Sequence, residues 1–507
     1  MTWDFLLGQF ATQFGLWWVI WPAILLGIVV GILPGFSPQN TLIMLLPLTL
    51  AVKVEVALAF MIALYCSNHL AGGIPAILVK IPGSGGAAAT TLDGYPMTQK
   101  GQAQQALVLC FTASVFGGLI TTLATIALLP WLSQIGLYLR SVEMVVVMLF
   151  GLTLIAVIAA KDLLKGLIAG FFGLLIGVIG TDHVYNTPRA TFGFLELYDG
   201  VPLVPALIGL FAISEALVMI EQKMIVGKES RDRAMTARWT DTIEGLRMSL
   251  KYWWQIVWTG FVGLFIGIVP GAGASIAAFV AYQQSRLWSK RPELYGTGIP
   301  EGVIAPESAN NGVTSGTLVP TLALGVPGGS TAAVMMIVLQ YHGMVMGPRL
   351  FSSNPEIAYG VFVSMAVAYI FMILTILPLA RYMSRIVLIE TGYLVPVISL
   401  VTIVAAFGER QYIFDMALAL VFGVIGYVAH KTNYHVTAIL IGIILGPLFE
   451  QYLVRALRIS QGDFTILFSS TIGNTLWALL VLSLVLPFLR TWRQKRELAA
   501  EQFGEER

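Results

Sequence analysis

Charge is what this chain has least of. Only 11% of its 507 residues are Asp, Glu, Lys or Arg, against about 25% in soluble domains. The formal net charge is +2, which leaves no basic surface for nucleic acid. There are two cysteines, Cys66 and Cys110, both inside apolar runs. That excludes a disulfide framework and fits small core residues. No G-x-x-x-x-G-K-[ST] occurs. Gly227-Lys228 is followed by Glu229, so the chain has no phosphate cradle of its own for ATP. His69, His183, His342, His430 and His435 show no H-E-x-x-H spacing, and a metalloenzyme has no support. No basic segment or small-residue cleavage pattern precedes the first apolar run, so the first span is expected to stay in the protein. The most polar internal stretch, Gln222 to Lys251, is too short for a soluble domain.

What the chain has is apolar length. Hydrophobic residues make up 57% and mean hydropathy is +0.82. This predicts an all-α polytopic membrane protein. Spans are expected at 17–33, 41–52, 56–70, 103–129, 142–160, 163–180 and 201–220. The second half repeats the pattern at 253–269, 274–287, 302–312, 357–380, 386–407, 412–428, 436–448 and 464–489. Two Pro/Gly-punctuated hairpins, about 71–92 and about 313–341, read as broken or re-entrant. Some short pieces are half-helices, leaving about 12 transmembrane helices.

The stretch Glu301–Thr331 holds two carboxylates, adjacent amides, hydroxyls and repeated Pro and Gly. Backbone freed by Pro and Gly must be satisfied inside protein or around water. Broken helices of this kind point to a transporter's binding site. A long outside loop would carry the same residue types. Two matches suggest internal duplication. Pro75, Pro82-Gly83 and Ala87-Ala88 recur as Pro320, Pro327-Gly328 and Ala332-Ala333. Gly27-x-x-x-Gly31-x-x-Pro34-Gly35 recurs as Gly263-x-x-x-Gly267-x-x-Pro270-Gly271. The repeats are read as residues 1–250 and 251–507.

Lys and Arg crowd residues 223–251 and 490–496, so both stretches are expected in the cytoplasm. No basic residue precedes Lys53, which puts the N-terminus outside. Threading the spans alternately brings the two hairpins in from opposite sides, giving repeats of inverted topology.

Half-helix N-termini at hairpin tips favour anions. Candidate substrate contacts are Gly83, Ser84 and Gly85 at one tip and Gly328, Gly329, Ser330 and Thr331 at the other. Asn310 and Asn311 add uncharged donors and acceptors. Pro34, Gly35, Pro270 and Gly271 break helices and line the site or only permit packing. Asp93, Glu301 and Glu307 are candidates for ion coupling. Asp93-Gly94-Tyr95-Pro96 also reads as a turn. Lys80 would either neutralise a carboxylate or snorkel to the surface. Glu301 and Glu307 could serve acid–base chemistry, but no nucleophile–base pair or metal cluster accompanies them. No enzyme is expected.

These motifs resemble the large membrane subunit of the tripartite tricarboxylate transporters, the TctA family. The resemblance rests on Gly27–Gly35, Gly72–Gly83, Leu92–Met97, Gly263–Gly273, Glu301–Asn311, Leu324–Gly328 and His342–Pro348. It implies a secondary transporter of organic carboxylates in the bacterial inner membrane, driven by H+ or Na+ and needing no other cofactor. It implies a periplasmic solute-binding protein and a small four-helix membrane subunit as partners. A self-sufficient exporter or exchanger is the alternative. Lys80 stands where the family often has Asn, and Ser37 where it has a second Gly, so the resemblance does not name citrate.

Overall fold

The computed structural model describes residues 3–482 apart from 34–35, 138–139, 159–161, 182–186, 222–238, 272, 348, 387–395, 397–398, 401, 405 and 408–409. Among the described residues the chain is almost wholly helical. One two-stranded ribbon interrupts it, Gly180–Thr181 paired antiparallel with Pro188–Arg189. Among the described residues, five helices are long and apolar enough to cross a membrane: Val54–Val79, Ala103–Trp131, Pro355–Ile376, Ile413–Lys431 and Val436–Ile459. A sixth candidate is the pair Trp3–Gly15 and Trp17–Gly31, bent by 64°. The sequence reading found only the second member of that pair. The span read at 386–407 and the basic stretches near 223–238 and 490–496 lie largely outside the described residues.

The axis of the molecule is the helix Pro300–Leu324. Every residue from Gly302 to Ala323 is buried. The sequence reading ended a span at Gly312 and opened a hairpin at 313. The structure corrects this: one helix runs through, carrying Pro306 and Pro320 inside it. Each proline removes one amide donor, yet the helix continues because it is wrapped by protein rather than by lipid. Likewise the first hairpin opens later than read. Helical backbone continues through Gly73–Val79 before the chain breaks.

The two breaks are built alike. Lys80 adopts the left-handed conformation (φ 60°), and so does Gly325 (φ 70°). Ile81 N–H donates to the Pro75 carbonyl and Val326 N–H to the Pro320 carbonyl, each at 3.3 Å. Both are the six-to-one closure that terminates a helix on a left-handed residue. Past the closure Gly83 lies against Gly72, and Gly328 against Thr317. Every residue of the second break stands 245 positions after its counterpart.

Glycine lets the preceding helices touch these broken ones through bare backbone. A Cβ on Gly27 would stand 3.1 Å from the Leu64 carbonyl, and one on Gly31 2.9 Å from that of Asn68. Gly263 meets Ala309 and Gly267 meets Val313 in the same manner. These four glycines are packing residues.

Candidate functional site

Both breaks lead to one cavity of about 260 Å³. Three helices begin at its edge. Ser37 caps Pro38–Leu45, its Oγ accepting from the Asn40 amide at 3.4 Å. Gly273, in the left-handed region at φ 66°, opens Gly273–Trp288. Gly329 precedes Ser330–Tyr341. The first-turn amides of a helix have no partner within it, and its dipole is positive there. Ser84, Gly85 and Gly86 close the remaining edge. Ser84 Oγ is buried and has no hydrogen-bond partner, a rare condition for a hydroxyl inside a protein.

The side walls come from Tyr65, His69 and Thr317. Tyr65 Oη and Thr317 Oγ1 are 2.9 Å apart. His69 Nδ1 lies 3.1 Å from Asn310 Oδ1, and Asn310 Nδ2 donates to the His69 carbonyl at 3.1 Å. None of Tyr65, His69, Thr317 or Ser275, which also lines the cavity, was singled out from sequence. The available signal was the Tyr65–His69 spacing of four, which puts both rings on one helix face.

The candidate residues divide. Ser37, Ser84, Gly85, Gly329, Ser330 and Thr331 line the cavity. Gly83 and Gly328 are buried one residue behind its wall. Gly271 N–H donates to the Gly328 carbonyl at 3.1 Å, and Pro270 precedes it at a half-buried turn. Pro34 and Gly35 lie outside the described residues. Asn310 lies behind the lining, against His69 and Gly86. Asn311 turns away, toward the Tyr369 hydroxyl at 3.4 Å.

Residues 17–441 match the family model described as Tripartite tricarboxylate transporter TctA family. The chain belongs to that family. Among relatives of this TctA protein, the "Uncharacterized 52.8 kDa protein in TAR-I ttuC' 3'region" of Agrobacterium vitis is 30% identical over 461 residues, 91% of each chain. The "Uncharacterized protein in TAR-II ttuC' 3'region" of the same organism is 31% identical over 235 residues. That alignment covers 46% of this chain and 97% of the relative. No solved structure matches the chain.

The structure does not bring Lys80 of this TctA protein to the cavity. Its side chain is exposed, with Nζ 5.8 Å from the centre of the Tyr95 ring. What the position demands is a left-handed backbone. Asn tolerates that conformation as Gly does, whereas β-branched residues do not. Lys80→Val is therefore expected to lower stability by about 1–2 kcal/mol, while Lys80→Asn stays near neutral. Thermal unfolding of the two purified variants checks this.

The three candidate acids have three environments. Asp93 is completely buried in the helix Thr91–Gln99, which contains Pro96. The turn read there is thus helical. Its carboxylate accepts from the amides of Gly296 (3.0 Å), Gly298 (2.7 Å) and Ile299 (3.1 Å) and from the Tyr282 hydroxyl (2.9 Å). It staples the approach to the helix Pro300–Leu324. Glu301 is in the first turn of that helix, 3.7 Å from Arg291 Nη2. Glu307 sits two turns further in. It accepts from Thr90 Oγ1 at 2.6 Å and Ser114 Oγ at 3.0 Å.

Proposed function

We propose that this TctA protein is the ion-driven transport subunit for an organic carboxylate delivered by a periplasmic solute-binding protein, working beside a small four-helix membrane subunit. The observation that carries the reading is the meeting of three helix N-termini and the unpartnered Ser84 hydroxyl at one cavity. No Lys or Arg is among its lining residues. Backbone amides and aligned dipoles are sufficient to hold a carboxylate. The volume is below the roughly 300–1,000 Å³ of drug-sized pockets, which suits a small acid.

An inverted pair of repeats, with about twelve crossings in all, is part of the same reading. Its support is the paired geometry of the breaks. Ser37 and Gly273 start helices at matching positions, and Gly85 and Ser330 stand at matching positions of the two tips. The N-terminus is placed in the periplasm and the C-terminus in the cytoplasm by the distribution of Lys and Arg. Cysteine at Asp4 should then be labelled by an impermeant thiol reagent in intact cells, and cysteine at Lys228 or Arg496 only after lysis. Labelling of Lys228→Cys from outside would reverse the topology.

Uptake of labelled citrate, succinate and glutarate into proteoliposomes, with and without the binding protein, tests the function. Absence of uptake and of exchange for every such acid would end the carboxylate reading. Ser84→Ala should raise the apparent substrate constant about tenfold, the cost of one hydrogen bond to a charged group. Asn311→Ala, remote from the cavity, should leave that constant within about twofold.

A further inference from the structure

Three acids among the described residues are completely buried: Asp93, Glu307 and Asp415. Asp415 is paired with Arg410. Asp93 has backbone amides on both oxygens. Glu307 has neither. It draws only on neutral groups, the Thr90 and Ser114 hydroxyls with the Cys110 thiol and the Asn310 amide beside them, and no ion pair reaches it among the described residues. The desolvation of a carboxylate charge outweighs what such neutral bonds return. A positive counterpart has to arrive with function, or the group is neutral.

Packing decides which cation fits. A Cβ at Gly73 would stand 2.8 Å from Glu307 Oε1 and 2.5 Å from Cys110 Sγ. The carboxyl is therefore clasped between bare backbone and a thiol. A metal ion wants a shell of oxygen ligands. The oxygens at hand, Thr90 and Ser114, already point their hydrogens at the carboxylate. A proton needs no space. The titratable groups nearest Glu307 are Cys110 on the helix Ala103–Leu137 and, through Asn310, His69 on Val54–Ala71. Thr90, Ser114 and Gly73 complete its surroundings without charge.

Asn310 lies three residues after Glu307, on the same helix face. Its amide holds His69, and His69 lines the cavity. We infer that Glu307 carries the coupling proton of the transport cycle, and that the Asn310–His69 pair links its protonation to the cavity. The inference rests on the carboxylate-transport reading and adds the coupling ion and its carrier. Loading adds one proton from outer water to the carboxylate. Release returns that proton to inner water, with no change in electrons.

The test uses the protein with its partner subunits in sodium-free proteoliposomes, alkaline inside, with citrate, succinate and glutarate as probes. Wild type should accumulate a probe and carry protons inward with it, seen by a trapped pH indicator. Glu307→Gln should lower the ratio of driven accumulation to substrate exchange by about tenfold or more and abolish the indicator signal. Wild-type accumulation that requires a sodium gradient overturns the inference, as does undiminished accumulation by Glu307→Gln. Absence of exchange in wild type overturns the transport reading and this inference with it. Should Glu307→Gln fail to insert, Ser114→Ala keeps the carboxyl and removes one donor. It should displace the pH midpoint of accumulation by about one unit, and an unmoved midpoint counts against Glu307.

Discussion

Asp93→Ala should leave little folded protein to purify. The variant strips the acceptor from three backbone amides in the 296–299 approach to the central helix and from the Tyr282 hydroxyl. The buried Ile299 amide and Tyr282 hydroxyl each cost about 1–3 kcal/mol when left without a partner, and the amides of half-buried Gly298 and exposed Gly296 cost less, so the sum is roughly 3 kcal/mol or more against a total stability of roughly 5–15 kcal/mol. A drop of about 5–10 °C in the thermal midpoint is expected, with most of the protein lost from the monodisperse peak in size-exclusion chromatography. Tyr282→Phe removes one donor only and should cost about 1 kcal/mol. An Asp93→Ala protein as stable as wild type would mean that the loop finds other acceptors, and the staple would lose its meaning.

Gly86→Val is expected to abolish transport from protein that still reaches the membrane. A Cβ at Gly86 would collide with Asn310 Oδ1 and stand 3.0 Å from the Ala274 methyl. Asn310 could move only by giving up its bonds to His69, and Ala274 sits in the first turn of the helix Gly273–Trp288. Overpacking of this kind costs about 1–3 kcal/mol, which a large membrane protein survives. The site does not, because displacements of about 1 Å at a binding constellation cost about a hundredfold. Uptake at least a hundredfold below wild type, at equal amounts of inserted protein, is the expected result. Uptake within about twofold of wild type would show that the 84–86 edge is not a wall of the site.

The membrane class, most helices and both breaks were legible in the sequence, because apolar length and Pro-Gly punctuation act locally. Ser84, Ser330 and Thr331 were legible for the same reason: they flank the breaks. Tyr65 and His69 were not, since nothing near Val54–Ala71 says which face of a uniformly apolar helix meets another segment 240 residues away. The role of Asp93 was hidden likewise. Its partners are amides, and an amide carries no residue identity. Of the two roles open to Lys80, counter-charge or snorkelling side chain, its exposed side chain fits the second, and the left-handed φ that sets its position is not legible from its charge. The run 313–324 was misread because Pro320 suggested a break, but Pro inside a helix that is wrapped on all sides need not end it.

The two breaks share a frame and differ in what stands around it. Backbone contacts recur at matching positions, yet the side chains standing on that frame have diverged. His69 corresponds to Thr314, Asn68 to Val313 and Gly72 to Thr317. The cavity that both breaks reach is thus unevenly lined, with the His69 imidazole and the Tyr65 phenol on one helix and the Ser330 and Thr331 hydroxyls on another. Any molecule that enters it with two different ends meets a built-in polarity, one orientation offered an aromatic wall and the reverse a wall of alcohols. End-to-end order in the occupant is therefore readable there, although the two breaks that lead to it are built alike.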